Sequence, residues 1–128
     1  MKPNPLQAWH DALTQRDPRG LADLIADDAV FHSPVVHRPQ VGKALVHGYL
    51  SAAMSVLGNA SFRYVRELAD NGQACLEFEV EIDGVHVNGV DLIRWDASGR
   101  ISDFKVMLRP LKAVQLIHEK MAAMLRSQ

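Results

Sequence analysis

The segment from Cys75 to Asp83 constrains the fold of this chain more than any other. Its apolar side chains alternate with acidic ones and occupy every second position: Leu76, Phe78, Val80 and Ile82. Alternation of period two is typical of a strand with one dry face. Asp83-Gly84 is a two-residue hairpin signal, so a second strand begins at Val85. The resulting register pairs Ile82 with Val85, Phe78 with Gly89 and Leu76 with Asp91.

Further turn signals extend this hairpin to an antiparallel meander. The predicted strands lie near 61–69, 73–83, 85–95 and 100–109. If all of 96–99 is loop, the register pairs Trp95 with Arg100 and Asp91 with Phe104.

The turn at 70–72 leaves two registers open. A two-residue loop puts Arg63 and Val65 on the dry face, whereas a three-residue loop puts Phe62 and Tyr64 there. We prefer the three-residue loop, because its register matches the dry face.

Asparagine, aspartate and proline residues mark where helices begin. Asn4-Pro5 predicts a first helix, and Asp17-Pro18 predicts a second, short helix that runs to about Asp27. Residues 29–32 form an extended run, and two prolines keep the loop 33–39 non-helical. Two more helices are predicted, one from Gly42 to Gly58 and one that begins at Pro110.

Composition narrows the classes of function. Lys and Arg number 14 against 15 Asp and Glu, which leaves a net charge of -1 and no basic surplus for nucleic acid or an anionic membrane. The single cysteine, Cys75, excludes an internal disulfide. No run reaches the ~18 apolar residues of a membrane span. We therefore expect one cytoplasmic domain over residues 1–128 that binds neither nucleic acid nor membrane.

One position breaks the apolar pattern of the dry face. Asp91 is a carboxylic acid in an apolar row, and Gly89 on the same face is expected to leave open space beside it. Burial disfavours the ionised form, so we expect the pKa of Asp91 to be raised. Two interpretations remain open. Asp91 is either a structural residue satisfied by the backbone, Trp9 or Tyr49, or an acid–base group in a pocket.

Several segments resemble one superfamily. They are 26–31 leading to Pro34, then Gly42, and 90–96 followed by 99–101. With the element order, they are similar to the nuclear-transport-factor-like superfamily, in its SnoaL-like and ketosteroid-isomerase-like branch. The resemblance implies an α+β cone, a cystatin-like α+β barrel, in which a curved antiparallel sheet wraps around three N-terminal helices and a C-terminal helix follows. It points to a fold and not to one reaction, because such folds host many activities.

The resemblance also implies roles for individual residues. Asp91 matches the acid that donates to the substrate oxyanion in the isomerases, and equally the acid–base aspartate of the cyclases. Ser33 stands where the isomerases have their general-base aspartate, and Trp9 where they have an oxyanion tyrosine. Neither replacement supplies the same chemistry. We therefore expect binding of flat apolar rings beside Asp91 without appreciable steroid isomerisation.

Other candidates come from the loop and the inner face. His32 and His37 could supply a base at the pocket mouth, and Tyr49 could serve as a partner of Asp91. The expected ligand-contacting residues are Phe31, Leu76, Phe78, Val87, Gly89, Phe104, Val106 and Leu108. Three more histidines are interpreted as surface residues: His10, His86 and His118. Because the histidines lack the spacing of a zinc signature, we expect no metal. We expect no other cofactor either.

The wet face of the sheet carries matched charges with apolar residues among them, notably Val90, Leu92 and Met107. We expect a homodimer through this outer face.

The sequence leaves three functions open. The first is an enzyme with isomerase- or cyclase-type acid–base chemistry on a small, largely apolar molecule, in which Ser33, Tyr49 or Trp9 assists Asp91. The second is a module that binds such a molecule without turnover. The third is a dimerisation domain whose cone is filled by side chains. An open cavity beside Asp91 would exclude the third.

Overall fold

A computed structural model describes residues 4–126, which form four helices and six strands. The elements in chain order are α1 (Pro5–Gln15), α2 (Pro18–Ala22), β1 (Ile25–His32), β2 (Gln40–Val41), α3 (Lys43–Leu57), β3 (Arg63–Asp70), β4 (Gln73–Ile82), β5 (Val85–Trp95), β6 (Ile101–Arg109) and α4 (Leu111–Arg126). Within these residues, no helix combines the length and the apolar character that a membrane crossing requires.

The six strands form one curved, unclosed sheet in the order β2-β1-β6-β5-β4-β3. The predicted α+β class is confirmed, and the predicted meander is β3 to β6. The expectation of a wholly antiparallel sheet needs one correction. β1 lies parallel to β6, with Phe31 opposite Phe104. A long connection separates these two strands in sequence, so it can return the chain in the same direction.

The helix starts follow the predicted capping chemistry. The side chain of Asn4 accepts a hydrogen bond from the backbone N–H of Leu6, and that of Asp17 accepts one from Arg19, both at 3.0 Å. The prediction that the second helix reaches Asp27 is wrong. Ile25 already belongs to β1, where it is fully buried opposite Ile101, and sheet pairing overrides its helical spacing.

The β4–β5 register is confirmed at all three predicted pairs: Ile82 with Val85, Phe78 with Gly89, and Leu76 with Asp91. The β5–β6 register differs from the prediction. Asp91 faces Val106, and Trp95 faces Ile101 across a bulge. The loop extends to Arg100 because the Asp96 carboxylate accepts hydrogen bonds from the Ser98 and Arg100 backbone N–H groups at 2.9 and 3.1 Å.

The β3–β4 turn contradicts the preferred loop length but not the preferred face. Asp70 pairs with Gln73, so the loop has two residues, Asn71 and Gly72, with φ of 46° and 78°. A bulge at Val65 then shifts the register by one residue. Tyr64 consequently lies opposite Phe78 on the inner face.

The concave face of the sheet is the main source of the core. Of the residues predicted there, Leu108 is half-buried and the others are buried: Leu76, Phe78, Val80, Val87, Phe104 and Val106. Trp9 of α1 and Val46 and Leu50 of α3 belong to one core cluster with Leu76, Phe104 and Val106. A second cluster joins Phe78, Val80 and Val87 to Ala113 and Ile117 of α4. The helices therefore cover the concave side.

Candidate functional site

A cavity of about 530 Å³ lies between the concave face of the sheet and helices α1, α3 and α4. Eight of the residues predicted for the site line it: Trp9, Phe31, Ser33, Tyr49, Asp91, Phe104, Val106 and Leu108. An open cavity beside Asp91 is incompatible with a cone that is filled by side chains.

Asp91 is the ionisable residue that the fold buries. Among residues 4–126 it is the one charged or polar residue that is buried, at 7% exposure. It faces the cavity from β5, whose alternation also turns Ile93 inward. A carboxyl group in such a position requires hydrogen-bond partners or a proton.

A chain of two hydrogen bonds supports Asp91. Tyr64 donates its hydroxyl proton to Asp91 Oδ2 at 2.6 Å, and Trp9 Nε1–H donates to Tyr64 Oη at 3.0 Å. The indole N–H of Trp9 can only donate a hydrogen bond, so it cannot accept one from the Tyr64 hydroxyl. The single hydroxyl proton of Tyr64 is therefore donated to Asp91. Because Oδ2 accepts from Tyr64, the proton of a neutral Asp91 belongs on Oδ1.

Burial decides the charge state of this pair. It raises the pKa of Asp91 to about 7, and the hydrogen bond from Tyr64 offsets only part of that effect. The expected direction and cause of the shift are therefore confirmed. Burial, followed by the negative charge of Asp91, raises the pKa of Tyr64 well above its ordinary value, so the phenol stays neutral. Asp91 can hold its proton near neutral pH.

Tyr64 is the functional residue that the sequence analysis missed. Trp9 and Tyr49 were the expected partners of Asp91, whereas the direct donor is Tyr64 and Trp9 acts one step behind it. The preferred register already turned Tyr64 inward, and a phenol on a dry face needs a partner. The ring of Tyr49 instead stacks on Phe31, with centroids 5.2 Å apart.

Ser33 shapes the loop after β1. Its Oγ accepts hydrogen bonds from the backbone N–H groups of Val35 and Val36 at 3.1 and 3.3 Å, and it lines the cavity. A hydroxyl used in this way is a weak proton acceptor. Position 33 therefore supplies shape and a polar surface but no strong base.

The two loop histidines lie away from the cavity surface. Phe31 points inward, so the alternation of β1 turns His32 to the outer face, where its Nε2 lies 2.9 Å from Asp103 Oδ1. His37 is exposed in the loop. Within residues 4–126, no group of three or more His, Cys, Asp or Glu side chains is arranged to hold a metal ion.

Two histidines that were interpreted as surface residues also line the cavity: half-buried His10 on α1 and His118 on α4, which is exposed as expected. His10 packs edge-on against the Tyr64 ring, with centroids 5.5 Å apart, and its Nε2 lies 2.5 Å from Glu67 Oε1. His10 directly follows the buried Trp9, and the spacing of apolar residues along α1 does not indicate that a polar residue at this position lines the cavity.

Four expected ligand-contacting residues lie beneath the cavity wall and do not line it: Leu76, Phe78, Val87 and Gly89. The Phe62 ring stacks on Phe78 at 5.1 Å and itself lines the cavity. The expected open space beside Gly89 is filled. A Cβ at this position would approach both Phe78 and Leu108 more closely than 3.0 Å.

Known proteins resemble this chain in sequence and in fold. A family model described as the SnoaL-like domain matches residues 6–104. A steroid Δ-isomerase from Pseudomonas aeruginosa is 38% identical with a TM-score of 0.90, over 96% of this chain and 90% of that one.

Two further solved structures extend this likeness. An uncharacterised bacterial protein with a cystatin-like fold from Silicibacter pomeroyi is 28% identical with a TM-score of 0.85, over 93% of this chain and 83% of that one. A hypothetical protein with a ketosteroid-isomerase-like fold from Catenulispora acidiphila shares the fold at 18% identity and a TM-score of 0.63, over 89% and 91% of the two chains. No curated protein matches this chain significantly.

Proposed function

The chain belongs to the SnoaL-like domain family, and within this family we propose that it is a small-molecule enzyme with isomerase- or cyclase-type acid–base chemistry. Its ligand is largely apolar and carries a carbonyl oxygen. One observation carries the proposal: a buried carboxylic acid that can be neutral near pH 7 faces a large, mostly apolar cavity. Such an acid is suited to donate a hydrogen bond to an oxygen that gains negative charge.

The hydrogen-bond chain supports a single-donor mechanism. Tyr64 occupies Oδ2 of Asp91 and fixes the carboxyl plane, which leaves the proton on Oδ1 for the ligand. When a carbonyl compound passes to its enolate, negative charge collects on the oxygen and the hydrogen bond from Asp91 strengthens. Phe31, Tyr49 and Phe104 supply aromatic surface for the rings of the ligand.

The expectation that steroid isomerisation is absent rested on Ser33 in place of the base and on Trp9 in place of the oxyanion tyrosine. The 38% identity with the Pseudomonas aeruginosa steroid Δ-isomerase favours an unsaturated 3-oxosteroid as one of the first probes.

Turnover of two carbonyl probes tests the proposal. The probes are a β,γ-unsaturated 3-oxosteroid, followed by the absorbance of the conjugated enone, and 2-tetralone, followed by NMR of its exchange of α-hydrogen for deuterium. We expect the wild type to accelerate at least one reaction and Asp91→Ala, which leaves no donor at this position, to lower kcat/KM by about 100-fold or more, since a lost oxyanion donor costs about that much. Asp103→Ala, on the outer face of the same sheet, is the matched control and should keep wild-type kinetics.

A second candidate is a binding module without turnover. The observation in its favour is Ser33, which occupies the expected base position and accepts two backbone hydrogen bonds. Binding of 2-naphthol, a flat aromatic alcohol, without turnover of either carbonyl probe would favour this candidate over the enzyme.

A further inference from the structure

The proposed chemistry lacks one component. Asp91 can donate a proton or a hydrogen bond to an oxygen, but a proton bound to carbon must be removed by a separate base. Ser33 is used as a loop acceptor, and His32 and His37 lie off the cavity. The base must therefore come from another part of the cavity wall.

Helix α1 brings a histidine to that wall. Trp9 and His10 are consecutive, and both contact Tyr64: the indole donates to the hydroxyl, and the imidazole packs edge-on against the ring with centroids 5.5 Å apart. Tyr64 in turn donates to Asp91 at 2.6 Å. One tyrosine side chain thus separates His10 from the acid, and all of these residues line the same cavity.

A carboxylate orients this histidine. Nε2 of His10 lies 2.5 Å from Glu67 Oε1 on β3. A neutral imidazole that donates from Nε2 carries its lone pair on Nδ1. A nearby carboxylate both fixes that tautomer and stabilises the imidazolium that forms when Nδ1 takes a proton, as in other base–orienter pairs. His10 is about a third exposed, at 29% of its side chain, which places it towards the mouth of the cavity.

We propose that His10, oriented by Glu67, is the general base of this site. This inference rests on the proposed function and adds the base to it. Glu67 acts through His10 and is a positioning residue.

The proton transfer balances without any other reagent. The Nδ1 lone pair takes a proton from the carbon beside the carbonyl, the C–H electron pair becomes the C=C bond of the enolate, and the carbonyl π pair moves to the oxygen. Asp91 donates its Oδ1 hydrogen bond to that oxygen. When the proton on Nδ1 is first replaced by a deuteron from the solvent, return to the same carbon gives exchange. Return of the proton to the far carbon of a conjugated dienolate gives isomerisation.

The test measures the turnover of the two carbonyl probes by variants of His10. His10→Ala should lower kcat by about 100-fold or more, the usual scale of a general base, while 2-naphthol still binds as in the wild type. Added imidazole should restore part of the rate in proportion to its concentration. His10→Gln, which retains a donor towards Glu67, guards against loss of folding and should be equally slow. His86→Ala is the matched control, since His86 faces Glu79 at 3.7 Å on the outer face and is 64% exposed.

Glu67 is tested with a double variant. Glu67→Gln should lower kcat in the wild-type background, without changing 2-naphthol binding, and have no further effect in His10→Ala. Equal losses in both backgrounds would show that Glu67 does not act through His10.

The outcomes separate this inference from the proposed function. If the wild type turns over a probe, Asp91→Ala is slow and His10→Ala is fast, the function stands and His10 is not the base. Loss of activity in His118→Ala alone would assign that role to the other cavity histidine. If the wild type binds 2-naphthol but turns over neither probe, the proposed function fails, and the base is rejected with it.

Discussion

At the scale of single residues, Asp91 couples the stability of the fold to pH. Its pKa is raised to about 7 in the folded state, against about 4 for an aspartate in an unfolded chain. The folded protein therefore holds a proton that the unfolded chain has lost. The stabilisation is complete below about pH 4, declines as the pH rises towards 7 and is lost above that. A pKa difference of about 3 corresponds to no more than about 4 kcal/mol.

Asp91→Asn should remove this dependence. The amide has no charge to bury, so we expect the variant to exceed the wild type in free energy of unfolding at pH 8 and to lose that advantage at pH 4.5. Urea unfolding at both pH values measures the difference, with Asp28→Asn as an exposed control on β1. A constant difference between variant and wild type across this range would mean that Asp91 titrates normally in the folded state.

Tyr64→Phe should raise the pKa of Asp91 above its already elevated value, because the hydrogen bond from Tyr64 is the one factor that lowers it. The variant also leaves Trp9 Nε1–H without its acceptor, at a cost of about 1–3 kcal/mol in stability. NMR titration of the carboxyl carbon of Asp91 measures the first effect. Tyr49→Phe lines the same cavity but contacts Phe31, and it should leave that titration unchanged.

At the scale of elements, the reliability of each register prediction follows from the chemistry of its turn. Asp83-Gly84 specifies a hairpin by itself, with φ of 51° and 77°, and the predicted β4–β5 pairs are all present. The loop at 96–99 is closed by Asp96 through its side chain and backbone, which carries the loop on to Arg100. Turn residues alone do not reveal that extra residue, so the β5–β6 register was shifted.

The β3–β4 hairpin shows how a prediction of loop length can be wrong while the face is right. Asn71-Gly72 is an ordinary two-residue signal, and without a bulge it would have turned Arg63 and Val65 inward. The bulge at Val65 restores Tyr64 to the dry face, and no local residue pattern marks it. The burial of Asp91 was predictable from the alternation of its strand. The preferred register already placed Tyr64 on this face, but its hydrogen bond to Asp91 was not predicted.

The β4–β5 hairpin tolerates only glycine at one cross-strand position. Gly89 faces Phe78, whose ring is fully buried and stacked on Phe62, so it cannot yield to an added methyl group. Gly89→Ala should therefore lower the free energy of unfolding by about 1–3 kcal/mol, as overpacked cores do. Chemical unfolding measures this cost. Phe78→Leu in the same chain should recover part of it, and equal losses with and without Phe78→Leu would show that the ring is not the obstacle.

At the scale of the whole molecule, the outer face of the sheet carries both charged residues, paired within the chain, and exposed apolar residues. Glu79 and Glu77 are paired within the chain, with Arg63 and Arg66 of β3, each at 3.1 Å. Both glutamates thus have partners within the chain, and exposed ion pairs contribute little free energy. What remains for an interface is the apolar part, in which Met107 of β6 is 50% exposed opposite Val90 of β5, the strand that also carries Leu92.

We propose that this apolar part of the outer face joins two copies of the chain. A lysine at its centre would place two like charges in a desolvated contact, so Met107→Lys should convert the dimer to a monomer. Leu45 on α3 has the same 50% exposure, and Leu45→Lys is the matched control that should remain dimeric. Light scattering at micromolar concentration distinguishes the two masses. A monomeric wild type, or a dimer that Met107→Lys leaves intact, would place any self-association elsewhere.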